Sequence, residues 1–260
     1  MARSSSKVRR PRSSNARRKR ARASSSRKSC TWIEVETMNY QFDFNFLVGS
    51  VGKLFDGLLV TLELAIAANV MGVVLGFLLC LVAMSRWAIV RWPAQLFIEF
   101  FRCTPALLQI VWFFYCIPMM VDVFVDPIVM GVLALGLNLT AFNAEAYRAG
   151  VQAVPKEHLD ACVALGLKPW QRTVYVVLPQ ALRSAMPVLM TNGIGTLQQS
   201  ALVAIVAVAD LMYVGKSLAT EAYRPLETYS VVALIYLALS VPISRMVHVI
   251  ERRQDAAMQR

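Results

Sequence analysis

No set of residues in this sequence has the types and spacing of a familiar catalytic site. The two histidines, His158 and His248, lie in different segments, and the zinc-protease, serine-hydrolase and phosphate-loop motifs are all missing from the sequence. The five cysteines are an odd number, and their positions fit neither a disulfide framework nor a zinc site. The sequence therefore predicts a protein that is not an enzyme and that holds neither a metal nor a cofactor.

Polar side chains instead interrupt long apolar stretches, where they can hydrogen-bond a solute rather than react with it. The stretch 191–200 is rich in hydroxyl, amide and glycine residues. Polar groups inside a membrane span are costly and often mark the route of a solute or an ion, although small polar residues also serve helix packing. The candidates for a translocation path are Asn138, Glu145, Asn192, Gln198, Gln199 and Ser200.

The elements that must position these groups are apolar runs of membrane-spanning length. The chain has 260 residues, of which 57% are hydrophobic and 17% charged, whereas soluble domains are about 25% charged. A span needs about 20 apolar residues. Pro105 predicts a bend at the start of the second run, with the preceding residues at the membrane interface. The runs predict an all-α polytopic membrane protein with five transmembrane helices at about 58–84, 104–121, 127–145, 185–208 and 229–249.

The distribution of lysine and arginine orients these predicted spans. Basic residues gather in the cytoplasmic loops of membrane proteins. If the loop 146–184 and the C-terminus lie inside, the inner segments carry 11 basic residues and the outer segments of residues 31–260 carry three. The predicted orientation is therefore N-out and C-in.

Residues 1–37 form a basic N-terminal tail. Residues 1–30 hold 12 of the 27 Lys and Arg residues and no acid. Such a composition cannot form a core, and we expect the tail to be disordered. Twelve positive charges outside conflict with the N-out orientation, which favours a true start near Met38. The alternative function is a membrane-anchored interaction protein whose tail binds nucleic acid or anionic lipid; under the favoured interpretation no nucleic acid partner is expected.

The loop 146–184 is polar and predicts two short helices joined by a tight turn. Pro155 and Pro169 can each begin a helix, and Gly166 suits the left-handed position that ends the first one. A compact helical projection at a membrane surface is suited to docking into a groove on a partner protein.

The same loop resembles the EAA loop of ABC importer permeases. The pattern of that loop is Glu-Ala-Ala, three residues, Gly, nine residues and Ile-x-Leu-Pro. This chain has Asp160-Ala161-Cys162, three residues, Gly166, nine residues and Val176-Val177-Leu178-Pro179.

Two further motifs narrow the resemblance to permeases for polar amino acids of the histidine, glutamine and glutamate type. Their Arg-Gly-Thr-Pro-Leu-Leu-Val-Gln-Leu corresponds to Arg102-Cys103-Thr104-Pro105-Ala106-Leu107-Leu108-Gln109-Ile110. Their Ala-Glu-x-x-Arg-Gly-Gly corresponds to Ala144-Glu145-Ala146-Tyr147-Arg148-Ala149-Gly150. The resemblance covers roughly residues 45–253, and it implies the type I ABC importer fold, with an ABC transmembrane type-1 domain expected at 55–252.

The resemblance implies a permease subunit that imports polar amino acids or similar small zwitterions by alternating access across the bacterial inner membrane. It implies as partners an ABC ATPase dimer, a second permease subunit that is identical or homologous, an extracytoplasmic solute-binding protein and the lipid bilayer. ATP is then a ligand of the ATPase and not of this chain. The resemblance assigns ATPase coupling to Asp160, Ala161, Cys162, Gly166, Val176, Leu178 and Pro179. Arg102 can extend to the inner headgroups, or it can form a gate or interface with Thr104 and Pro105 through a carboxylate such as Glu145.

The sequence departs from that family at two places. Glu157-His158 replaces the usual Gly-Gln at the entry to the EAA loop. Gln198-Gln199-Ser200 stands where many members have Lys, then Asp or Asn, then Thr. The missing Lys removes a positive charge from the expected path, so the solute of Lys-bearing relatives does not carry over to this chain.

Overall fold

The computed structural model describes residues 42–122 and 125–258, with the backbone alone at 121, 251 and 253–258. Every regular element in these residues is helical, which confirms the predicted all-α class. The basic tail 1–37 lies outside the described residues. The helices are α1 (Asn45–Val48), α2 (Val51–Ala83), α3 (Ala88–Cys103), α4 (Ala106–Val111), α5 (Ile117–Val121), α6 (Pro127–Gln152), α7 (Lys156–Ala164), α8 (Pro169–Arg172), α9 (Leu178–Gln199), α10 (Leu211–Ala222) and α11 (Pro225–Met258).

Four stretches of helix are long and apolar enough to cross a membrane by themselves. They are Val51–Ala83, Pro127–Gln152, Pro169–Val206 and Pro225–Ile250, and four of the five predicted spans overlap them to within two residues at any end that a helix does not cover. Each helical stretch is longer than its predicted span. The first, for example, has 33 residues and is therefore about 50 Å long.

The remaining predicted span, 104–121, corresponds to one arm of a bent pair of helices. The arms are Ala88–Cys103 and Ala106–Met120, and the angle between them is 108°. The bend falls at Thr104 and Pro105, where the sequence predicts it. Counting this pair as one span gives five spans in the described part of the chain.

Two π-helical turns each lie directly before a proline. The turn Trp112–Cys116 precedes Ile117-Pro118, and the turn Thr173–Val177 precedes Leu178-Pro179. Proline has no backbone N–H, and its ring collides with the carbonyl four residues earlier in an α-helix. The wider π turn accommodates that carbonyl, so that the chain remains helical on both sides.

Helix α6 is the central packing element of the described residues. In its most apolar window 61% of the residues are buried, against 28% or fewer in the other three candidate spans. It packs closely against α2, where a Cβ atom on Gly72 would lie 2.5 Å from Leu139 Cγ. Much of the remaining surface of the long helices is exposed and apolar, as expected for helices that face lipid.

Helix α10 was not predicted from the sequence. The predicted spans leave the segment 209–228 without a helix, but Leu211–Ala222 is helical. Asp210 begins this helix, because its Oδ1 accepts a hydrogen bond from the backbone N–H of Tyr213 at 2.8 Å. The helix ends at Tyr223, which has a left-handed backbone (φ 53°).

Candidate functional site

The loop that resembles the EAA motif folds as two short helices around a left-handed glycine. Helix α7 begins after Pro155, α8 begins at Pro169, and Gly166 between them has φ 68°. Leu167 N–H donates to Cys162 O at 3.0 Å, and Gly166 N–H donates to Val163 O at 2.9 Å. This is the Schellman ending of a helix, so the predicted helix–turn–helix is confirmed.

The surface of this projection, residues 156–177, carries apolar side chains in addition to the residues of the motif. Val163 is 62% exposed, Leu165 78% and Tyr175 66%. Asp160 and Ala161 are also exposed, whereas Cys162 is buried and faces the rest of the chain. The sequence does not indicate that these apolar side chains remain exposed, because exposure depends on how the two helices pack.

The projection is joined closely to the helices on either side of it. His158 Nδ1 lies 2.9 Å from Gln180 Oε1, across the base of the projection. A Cβ atom on Gly150 would lie 2.5 Å from Ala181 O, which shows how closely α6 and α9 approach there. The π turn before Leu178-Pro179 lies at the same junction. These contacts attach α7 and α8 to the ends of two spans, in α6 and α9.

Glu145 lies between two arginines at the end of α6. Arg148 Nε donates to its Oε2 at 2.9 Å, with a second contact between Arg148 Nη2 and Glu145 Oε1. Arg102 Nη1 lies 3.9 Å from Glu145 Oε1, and its guanidinium is 5.8 Å from the ring centre of Phe142. The structure thus brings the predicted pair Arg102 and Glu145 together and adds Arg148, which sequence reasoning did not assign to the pair.

Asn138 lies at the bend before the second span rather than beside the polar residues of α9. Its Nδ2 donates to Gln109 Oε1 at 3.0 Å and to Phe101 O at 3.2 Å. Gln109 Nε2 donates to Phe101 O at 2.9 Å and also to Thr104. These contacts attach the bend at Thr104 and Pro105 to the central helix.

The polar residues of α9 are distributed over separate places. Asn192 Nδ2 donates to Asn143 Oδ1 at 3.1 Å, towards α6. Ser200 is fully buried and its Oγ donates to Leu197 O at 2.7 Å. Gln198 is exposed, and Gln199 is half-buried. The predicted path residues therefore do not form one compact cluster in the single chain.

Gln198 opens onto a recess of about 680 Å³ between α9, α10 and α11. None of the described side chains that line this recess is charged. The lining residues are Gln198, Ala201, Met212, Tyr229, Val232, Ala233, Tyr236, Leu237 and Ser240. An uncharged recess with amide and hydroxyl groups can hydrogen-bond a small polar solute.

A buried carboxyl group lies behind this recess. Asp210 is 0% exposed, and Tyr236 is among its polar neighbours. Burial raises the pKa of the Asp210 carboxyl to about 6, because the charged form loses its hydration. Among the described residues, Asp210 Oδ2 and Tyr236 Oη have no partner with hydrogen-bond geometry.

The described residues contain no group of three or more His, Cys, Asp and Glu side chains placed to hold a metal ion. The chemistry that they offer is hydrogen bonding, ion pairing and apolar docking.

Comparison with known proteins places this arrangement in a family. Residues 68–256 match the family described as "Binding-protein-dependent transport system inner membrane component". The chain belongs to this family. The prediction of a transporter subunit rather than an enzyme is therefore confirmed.

Curated relatives cover most of this permease chain. It is 31% identical over 214 residues to the glutamine transport system permease protein GlnP of Escherichia coli K12, which covers 82% of this chain and 98% of the relative. It is 28% identical over 221 residues to the glutamate/aspartate import permease protein GltK of Escherichia coli O6:H1, with 82% and 99% covered. The alternative interpretation, an interaction protein with an inert membrane body, has no support among these relatives.

Solved structures agree with this assignment. A crystal structure of an amino acid ABC transporter with histidines matches this permease with a TM-score of 0.78 and 31% identity, over 82% of this chain and 100% of the other. The MetNI methionine ABC transporter in an inward-facing conformation matches with a TM-score of 0.58 and 18% identity. The second match concerns the fold alone.

Proposed function

We propose that this permease imports polar amino acids, or similar small zwitterions, across the bacterial inner membrane by alternating access. Relatives named for glutamine and for glutamate and aspartate support this solute class, as does the similarity to a solved amino acid transporter. An extracytoplasmic binding protein delivers the solute, and a separate ABC ATPase dimer supplies the energy. The two orientations of the pore are conformations whose populations ATP binding changes.

The observation that carries this proposal is the exposed apolar surface of the projection 156–177. Val163 and Leu165 are 62% and 78% exposed, although they lie on a polar loop between two spans. An apolar patch in such a position is typical of a docking surface for another protein. In this proposal, the ATPase binds Asp160, Ala161, Gly166 and the neighbouring apolar side chains. Cys162 is buried, Val176 and Leu178 are half-buried, and these three then belong to the packing that connects this surface with α9, where the exposed Pro179 follows the π turn.

The proposed arrangement has five spans, with the N-terminus outside and the C-terminus inside, within a transmembrane domain at 55–252. The excess of Lys and Arg on the side of the projection supports this orientation. The second span is then the short arm Ala106–Met120, which follows the bend at Pro105. The projection accordingly lies in the cytoplasm, where an ATPase can reach it.

The proposed route of the solute passes Asn192, Gln198 and Gln199. Gln198 is exposed on the single chain and opens onto the uncharged recess. A route through a membrane must be closed to lipid on all sides, so a second permease subunit, identical or homologous, is expected to cover this side. Asn138 and Ser200 contribute through their buried hydrogen bonds to the helices around the route.

The charged group at Glu145 is proposed to act at the inner gate. Arg102 and Arg148 hold this carboxylate between α3 and α6. Thr104 and Pro105 form the adjoining bend. Breaking the ion pairs of Glu145 would therefore let the second span move relative to the central helix α6.

Reconstitution tests this function. The chain is inserted into vesicles with its partner ATPase and binding protein, and uptake of labelled glutamine, glutamate and arginine is measured with and without internal ATP. Uptake of at least one of them that requires ATP supports the proposal. Failure of all three in an assembled complex contradicts the solute class.

The docking surface has its own test with a matched control. We expect the double variant Val163→Glu/Leu165→Glu to lose the ATPase during purification while it remains inserted in the membrane. Leu226→Glu places one such charge on a residue that is 56% exposed at the start of the last helix, α11, and it should retain the ATPase. If the double variant still purifies with its ATPase, then this surface is not the docking site.

A further inference from the structure

Helix α3 carries three different stripes along its length. Ala94, Ile98 and Phe101 are 5%, 5% and 6% exposed, and Ala94 and Ile98 pack in a cluster with residues of α2, α6 and α9. A second stripe is polar and exposed and consists of Arg91, Gln95, Glu99 and Arg102. The third stripe is apolar and equally exposed and consists of Ile89, Trp92, Leu96 and Phe100, with exposed fractions of 84%, 68%, 60% and 55%.

A bare apolar stripe beside a polar one is characteristic of a helix that lies in a membrane surface. The polar side then faces water, and the apolar side enters the boundary between headgroups and acyl chains. A helix that crossed the membrane would place Arg91, Gln95 and Glu99 in hydrocarbon, at a large cost in free energy. The 108° angle between this helix and the following arm is also what an in-plane helix needs if the next segment enters the membrane steeply.

Two of the three arginines of this segment lie at the end where the helix begins. Arg86 and Arg91 are exposed there, and each is followed by an exposed tryptophan, Trp87 (74%) and Trp92 (68%). Arginine attracts the phosphate groups of anionic lipids, and tryptophan prefers the headgroup region. Glu99 is the one acid of the helix and lies two turns further on.

We propose that α3 is an in-plane membrane helix whose Arg86 and Arg91 bind anionic phospholipid headgroups. The partner is thus a lipid surface of negative charge, and the proposal does not depend on which solute the permease carries. The helix is attached to α6 through Arg102 and Glu145 and through Phe101 and Asn138. The headgroups therefore hold an element that is connected to the helix leading into the projection 156–177.

The depth of three side chains tests the in-plane position. Chains with a single tryptophan at Trp92, at Leu96→Trp or at Phe100→Trp are placed in lipid nanodiscs, as assembled complexes, and quenched by lipids brominated at different acyl positions. Residues 92 and 100 are about 12 Å apart along a helix axis. An in-plane helix gives equal, shallow depths at all three positions. A progressive difference of several ångströms means that the helix crosses the membrane, and the absence of quenching means that protein covers it; either result overturns the proposal.

Trp170 provides a matched control for this measurement. It is 55% exposed and lies on the projection, where no lipid is expected, so a chain with Trp170 alone should not be quenched. The same comparison establishes that quenching reports contact with lipid and not exposure as such.

The charge preference is tested by quenching Trp92 with brominated phosphatidylglycerol and with brominated phosphatidylcholine at equal mole fractions. We expect the anionic lipid to be preferred by about fivefold for each arginine, which is the equivalent of about 1 kcal/mol per basic residue. The double variant Arg86→Gln/Arg91→Gln should abolish the preference. Arg245→Gln/Arg252→Gln removes two exposed arginines of α11 and should leave it unchanged. Equal quenching by the two lipids in the unmodified complex would overturn the proposal.

A second measurement covers the case in which the single-tryptophan chains do not fold. The charge variants are also made in the chain that keeps all its tryptophans. In that chain the Arg86→Gln/Arg91→Gln change should again reduce the preference for the anionic lipid, but by less than in the single-tryptophan chain. An unchanged preference in that chain also counts against the proposal.

Discussion

Asn138 Nδ2 lies 3.2 Å from the carbonyl oxygen of Phe101. In a continuous α-helix this oxygen would accept a hydrogen bond from the backbone nitrogen four residues later, which here belongs to Pro105. Proline has no N–H to give. Gln109 Nε2 donates to the same oxygen at 2.9 Å, and Asn138 and Gln109 are themselves bonded. Two amide side chains from different helices therefore replace the missing backbone donor at the bend.

Gln109→Leu should destabilise the bend. Leucine has a similar size but no N–H and no side-chain oxygen, so Phe101 O loses one of its two donors and Asn138 Nδ2 loses one of its two acceptors. A buried polar group left without a partner costs about 1–3 kcal/mol, and we expect the melting temperature of the purified permease to fall by several degrees. Gln95→Leu, at an exposed position of α3, is the control. Equal melting temperatures for the two variants would show that these bonds do not support the bend.

The features predicted correctly from the sequence rest on local signals. Pro105, Pro155, Pro169 and Gly166 each restrict the backbone within a few residues, so the bend and the helix–turn–helix can be predicted without knowledge of the packing. The apolar runs likewise predict the long helices, because the length of an apolar run depends only on consecutive residues.

The features that were not predicted depend on contacts between distant residues. The bond between Asn138 and Phe101 joins residues 37 positions apart, and no spacing rule pairs an amide with a carbonyl that lacks its helical donor. Helix α10 begins at an Asp that can cap a helix, but its apolar residues are packed with Leu47, Leu54 and Val232. The separate partners of the candidate path residues could not be predicted either, because the sequence indicates that these residues are polar but not which residues they contact.

Gly166→Val should weaken the attachment of the ATPase. A Cβ atom at Gly166 meets nothing within 4 Å, but the backbone has φ 68°, which a β-branched residue adopts only at a cost of about 1–2 kcal/mol. The turn between α7 and α8 should therefore change its conformation. Gly52→Val is the matched control, because Gly52 also has open space and no positive φ. Co-purification of the ATPase measures the effect, and the same ATPase yield from both variants would contradict a role for this turn.

Removal of residues 1–37 should leave uptake intact, whereas a further deletion to Leu47 should not. Asp43 N–H donates to Glu227 Oε1 at 3.3 Å, and Glu227 is fully buried. Leu47 is 6% exposed and packs with Leu54 and Leu211. A chain that begins at Met38 retains these contacts, and one that begins at Val48 loses them. Uptake and membrane abundance are measured for both; loss of transport from the longer chain at normal abundance would show that the tail is required.

Gln198→Lys should shift transport away from cationic solutes. Gln198 lies at the recess that no charged side chain lines, and a new positive charge there would repel a cation in surroundings of low dielectric constant. We expect the ratio of cationic to anionic uptake to fall by about tenfold, the equivalent of about 1.4 kcal/mol. The measurement requires one fixed binding protein that accepts both charge classes. Gln152→Lys, at the exposed end of α6, is the control, and an unchanged ratio in Gln198→Lys at normal abundance would show that this position does not sense the solute.

The stability of the permease should depend on pH through Asp210. Burial raises the pKa of this carboxyl from 3.8 to about 6 in the folded chain. The folded state therefore keeps the proton between about pH 4 and pH 6, where the unfolded state has already lost it. The contribution of this group to stability is fully present below about pH 4 and is lost as the pH rises through 6. A shift of about two pKa units corresponds to about 3 kcal/mol.

Asp210→Asn separates this charge from the role of the side chain in starting α10. Asparagine keeps an oxygen that can accept from Tyr213 N–H, as Asp210 Oδ1 does at 2.8 Å, but it cannot ionise. The variant should melt close to the unmodified permease at about pH 4 and at a higher temperature at about pH 8. Asp126→Asn makes the same change at the exposed residue that caps α6 and should show no such divergence. If the difference in melting temperature between Asp210→Asn and the unmodified chain stays constant from about pH 4 to about pH 8, then Asp210 does not carry a buried charge above pH 6.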